Sequence, residues 1–64
     1  MTEKEKIVNE IITYPLSYAK LWGFLESNTW HKDKLLFTEL VNLKQYLTDI
    51  KIFERNKQQL NGNN

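Results

Sequence analysis

Sixty-four residues without a cysteine exclude a disulfide framework and a Cys-based zinc site, and a chain this short buries only about 60% of the surface its unfolded form exposes. Self-association is then the remaining way to staple a marginal core. A net charge of +1, from nine basic and eight acidic residues mixed along the chain, gives no strong pull toward nucleic acid or a membrane surface.

Thr2 followed by Glu5 has the capping-box spacing, so a helix is expected to start there. Ile7, Val8, Ile11 and Ile12 fall on one stripe of it, with Glu3, Lys4, Lys6, Asn9 and Glu10 turned to water. Pro15 stops this first helix near residue 13 and suits the first turn of the next, because proline lacks the amide that continuation needs but fits a helix start.

The second helix is expected over residues 16–27. Tyr18, Leu21, Trp22 and Leu25 share one face, and Leu16 and Phe24 project away from it, so the segment is apolar over most of its circumference. Gly23 lies inside that pattern at a cost of about 1 kcal/mol and is read as allowing a close helix crossing beside Trp22. Ser27, Asn28 and Thr29 form a polar break, read as a tight corner between helices.

A third helix is expected over residues 30–59, the longest element and the organising one. Leu36, Leu40, Leu43, Leu47 and Ile50 recur at steps of four and three, which keeps them within about 80° on a helix face. Leu35, Tyr46, Phe53 and Leu60 make an adjoining stripe that continues past the reach of the first two helices. Phe37, Val41 and Ile52 make a sparser one, interleaved with Lys44, Thr48, Lys51 and Arg55. The tail at 61–64 is turn-prone and is expected to be disordered.

The sequence therefore predicts an all-α fold: three helices, with the first two as a hairpin packed on the long C-terminal one, in a single domain over residues 1–60. The exposed end of the long helix predicts a homodimer through Tyr46, Ile50, Phe53 and Leu60. Neither a signal peptide nor a membrane-spanning run is read, and the expected compartment is the cytoplasm.

Chemistry is not signalled. His31 and Asp33 point about 200° apart on a helix and do not converge on a metal, and no nucleophile set or phosphate loop is drawn from so few groups. No enzyme activity and no cofactor are expected. The leading expectation is a small regulator that acts by binding another protein, inhibiting or modulating it, through Trp30, Phe37, Val41 and Ile52. Trp30 is chosen because it sits in the polar corner, and the others because the expected core does not need them. Residues with A/T-rich codons far outnumber those with G/C-rich codons, which suits a low-GC bacterium or its phage. The less favoured alternative is a dimeric helix-turn-helix DNA-binding regulator, with Trp30 to Lys34 opening the recognition helix. The first turns of that helix offer His31, Lys32 and Lys34 but no Arg.

Overall fold

The computed structural model describes the backbone of residues 1–62 and the side chains of residues 1–57. It contains four helices and a two-stranded antiparallel sheet rather than three helices alone: α1 (Glu3–Ile11), α2 (Leu16–Trp22), β1 (Leu25–Glu26), β2 (Thr29–Trp30), α3 (Lys32–Phe37) and α4 (Leu40–Gly62). The tail expected from Asn61 falls at the end of α4, and its last two residues lie outside the described residues.

α1 begins as its sequence requires. The Thr2 hydroxyl accepts from the Glu5 amide at 3.2 Å, and the Glu5 carboxylate accepts from the Thr2 amide at 3.1 Å, so two orphan amides of the first turn are satisfied reciprocally. Val8 and Ile11 are its fully buried residues. A tight turn then follows, in which the amides of Thr13 and Tyr14 donate to Glu10 and Ile11, and Pro15 stands as the cap before α2.

α2 is five residues shorter than the sequence suggested, and Gly23 is the reason. It adopts a left-handed φ of 79° at the helix C-terminus, a conformation that costs a residue with a Cβ about 1–2 kcal/mol. The amides of Gly23 and Phe24 both turn back to the Ala19 carbonyl, the Phe24 bond at 2.7 Å. Gly23 is thus a stop signal and not a crossing point within a longer helix.

What reads as a polar corner is a hairpin. Leu25 pairs with Trp30 and Glu26 with Thr29, and the two-residue loop between them places Ser27 and Asn28 at φ 47° and 66°. Two successive positive φ values are the signature of a type I′ turn, whose twist matches that of paired strands. Strand alternation then sends Thr29 outward and Trp30 inward. The helix–corner–helix on which the DNA-binding alternative rests is therefore not formed between α2 and α3.

The long helix is also broken, at Thr38 and Glu39. Thr38 is extended (ψ 141°), its hydroxyl donates to the Lys34 carbonyl at 2.9 Å, and its amide donates to Leu35 at 3.1 Å. From α1, the Lys4 ammonium donates to the Leu36 carbonyl at 3.1 Å, so a positive charge closes the negative end of α3. Leu35 and Leu43 would sit about 80° apart on one straight helix. With the break, both are fully buried in one core.

That core comprises Val8, Ile11, Ala19, Phe24, Trp30, Leu35, Leu43, Leu47 and Ile50. Its straightest seam lies between α1 and α4. Glu3 pairs with Lys44 at 3.1 Å and Glu10 with Lys51 at 3.2 Å, two ion pairs seven residues apart on each helix, which sets α1 and α4 parallel along that stretch. No helix of the described residues is long and apolar enough to cross a membrane.

Candidate interaction surface

The apolar groups expected to meet a partner do not share one fate. Trp30, chosen for its place in the corner, is a core residue: it is 9% exposed, and its indole N–H donates to the Tyr14 carbonyl at 3.1 Å. That bond ties the hairpin to the turn between α1 and α2. The hairpin explains the difference, because alternation along β2 buries a side chain that a helical corner would leave outside.

Phe37 and Val41 lie where the sequence reading puts them, on the outside. Phe37, the last residue of α3, is 88% exposed, and Val41, in the first turn of α4, is 67% exposed. They flank the Thr38–Glu39 break. Ile52 is 50% exposed and lies eleven residues along α4 from Val41, a step that brings it back to within about 20° of the same face. The stripe is real on α4, though Thr48 and Arg55 dilute it.

The residues expected at a dimer interface are drawn mostly inward. Ile50 is fully buried within the protomer, where it continues the α1–α4 seam, so it is unavailable to a second copy. Tyr46 is half-buried against Trp22 and Phe24. Phe53 remains 49% exposed, and the side chain of Leu60 lies outside the described residues.

Tyr46 and Phe53 belong instead to an aromatic seam that joins α4 to α2. Tyr18 and Trp22 stack with ring centroids 5.8 Å apart, Trp22 and Tyr46 stack at 5.9 Å, and Phe53 lies tilted against Tyr18 at 6.4 Å and Trp22 at 6.2 Å. Phe24 closes the inner end with its ring edge-on to Tyr46 at 5.3 Å, and the Lys34 ammonium sits 5.7 Å from the Phe24 centroid. These separations fall within the range that favours offset and tilted aromatic pairs. Burial pushes the Tyr18 phenol above its usual range, and the Glu54 carboxylate beside it adds to the shift.

The spacing of Tyr18 and Trp22, four residues apart on α2, and of Tyr46 and Phe53, seven apart on α4, was visible in the sequence. Their joining was not, because it depends on where α2 ends. Leu21 and Leu25, expected on the same helix face as Trp22, are both exposed, and Leu25 lies beyond the Gly23 stop, on β1.

Among the described residues there is no cavity and no group of three or more His, Asp or Glu side chains placed to hold a metal. His31, read as a surface residue at a helix start, is the N-terminal cap of α3: its Nδ1 accepts from the Lys34 amide at 3.3 Å. Comparison with protein-family models, with curated proteins and with solved structures finds no match to this chain.

Proposed function

We propose that the chain is a small cytoplasmic regulatory protein without catalytic activity, which inhibits or modulates another protein by docking apolar side chains on it. The exposure of Phe37 carries this reading. A phenylalanine side chain gains about 1.5–3 kcal/mol on full burial, and this one is held 88% exposed at the end of a helix whose other face is locked into the core by Leu35. Val41 beside it and Ile52 along the same face of α4 extend the apolar surface, and large apolar groups of this kind anchor protein interfaces.

The test is a pair of variants at that corner. Once a partner is identified, Phe37→Ala combined with Val41→Ala is expected to weaken binding by at least about tenfold, a change of about 1.4 kcal/mol. The melting temperature should stay nearly constant, since neither side chain serves the core. Unchanged affinity in the double variant would remove this surface from the reading.

Self-association belongs to the same proposal at a second place. Phe53, on α4 just past the last ion pair to α1, is about half exposed. A homodimer formed there would make the melting temperature rise with protein concentration. Sedimentation equilibrium showing only the 7.7 kDa protomer at micromolar concentration would exclude it.

A further inference from the structure

His31 is the only histidine in the chain, and one of its ring nitrogens faces two groups with opposite demands. Nδ1 lies 3.3 Å from the Lys34 amide nitrogen, a donor, and 3.5 Å from Oε2 of Glu26, an acceptor. A neutral imidazole with its proton on Nε2 accepts from the amide, but it offers the carboxylate nothing. A protonated imidazole carries hydrogens on both nitrogens, so it donates to Glu26 and has no lone pair for the amide. The two contacts use the same atom and exclude each other.

We propose that His31 is a proton-operated latch between α3 and the hairpin. In the neutral state it caps α3; on taking a proton from solvent it releases the Lys34 amide and ties to the Glu26 carboxylate on β1. Histidine is the side chain whose unperturbed charge change lies between about pH 5 and 8, which is why this residue type can serve as such a switch.

The surroundings define what the proton meets. Glu26 is the carboxylate across the hairpin. On α3, Lys32 and Asp33 follow His31 directly, and the Lys34 ammonium is engaged elsewhere, donating to the Gly23 carbonyl at 3.0 Å. From α1, the Glu5 carboxylate lies within reach of the Lys32 charge, which helps to hold it ionised. The His31 backbone holds its place in both states, since its amide donates to Phe24 at 2.6 Å and its carbonyl accepts from Leu35 at 3.2 Å. Only the ring changes partner.

The consequence is concentrated because α3 has just six residues. One cap amide is a large share of its first turn, and the element carries Leu35 into the core and Phe37 out of it. The latch therefore connects proton concentration to the firmness with which α3 is held, while the rest of the fold is spared.

Nuclear magnetic resonance on the full chain tests this without assignment ambiguity, as there is one imidazole. At pH 8 the ring nitrogens should show the proton on Nε2, and between pH 8 and 5 the protection factor of the Lys34 amide should fall about 2- to 30-fold along the imidazole titration, the range expected for loss of a side-chain cap. His31→Asn, which keeps a cap at every pH, should abolish that dependence. Glu26→Gln, at an exposed position, should move the imidazole midpoint to lower pH and leave the loss of Lys34 protection attached to it. A proton on Nδ1 at pH 8, or Lys34 protection that ignores the titration, would overturn the latch. An unmoved midpoint in Glu26→Gln would overturn the part assigned to the hairpin carboxylate.

Discussion

The two flanks of α4 are built on different terms. Along one, α1 lies close, with Val8 and Ile11 set among Leu43, Leu47 and Ile50, and all but Leu47 are at most 1% exposed. Along the other, α2 reaches α4 through the rings of Tyr18, Trp22, Tyr46 and Phe53, and its backbone makes little close approach. Branched aliphatic side chains interlock at short range and leave little surface over. Large rings span a wider gap, and their outer edges stay in water. The aliphatic flank therefore carries stability, and the aromatic flank combines modest stability with an exposed surface.

The sharpest way to break this comparison is to truncate one residue on each side. Leu43→Ala, in the dry seam, is expected to cost about 2–5 kcal/mol, enough to consume much of the stability of a domain this small. Phe53→Ala, whose ring is half exposed, is expected to cost clearly less than the about 3–5 kcal/mol of a fully buried phenylalanine. Urea unfolding of the two variants decides it. Equal costs would mean that the rings bear as much of the fold as the aliphatic seam.

Trp30 joins the two flanks, since it is buried in the core and bonded to the turn between α1 and α2. Trp30→Phe keeps an aromatic ring but removes the indole N–H, leaving the Tyr14 carbonyl without that donor. Because the Tyr14 carbonyl is only partly buried, the expected cost is at most about 1–3 kcal/mol, the penalty for stranding a buried acceptor, with some lost volume added. Equilibrium unfolding gives the size. A cost near zero would show that water replaces the indole at Tyr14.

The contrast also marks what could be read in the sequence. The α1–α4 flank was legible because it is made of period: the Thr2–Glu5 box, the stripe of Val8 and Ile11, and the steps through Leu43, Leu47 and Ile50 each follow from helix geometry alone. The other flank turns on single residues that break period. Gly23 after Trp22 is a helix stop by its position, yet apolar residues on both sides of it imitate a continuing helix. Ser27 and Asn28 lack the glycine that usually announces a type I′ turn, so two short strands read as a corner. Thr38 and Glu39 interrupt a pattern of leucines that remains in phase across the break. Trp30 was placed outside because its strand went unseen, whereas Phe37, Val41 and Ile52, which the expected core did not need, are exposed.

The hairpin turn offers a smaller test. Ser27 holds a φ of 47°, a region that favours glycine, and its side chain is exposed, so Ser27→Gly loses no packing. The substitution is expected to stabilise the fold by up to about 1 kcal/mol, the relief of left-handed strain less the added freedom of the unfolded chain. A small rise in melting temperature is the expected readout. A fall would mean that the entropic cost outweighs the strain.

The smallest effect lies farthest from both flanks, at the start of α1. The Glu5 carboxylate is held below the usual glutamate range, chiefly by the Thr2 backbone amide and then by the Thr2 hydroxyl. A carboxylate whose pKa is lowered by folding contributes stability that is fully present above its unfolded value, near 4.3, and is lost as the pH falls through the lower folded value. Acidification below about pH 4 is therefore expected to open the capping box first at its outer bond, with the Thr2 amide shifting before the core unfolds. Glu5→Gln separates charge from geometry, because a glutamine side chain can also accept from the cap amide. In that variant the Thr2 amide should stay bonded and show no titration in the same window. If both proteins titrate alike at Thr2, the Glu5 carboxylate does not govern the end of α1.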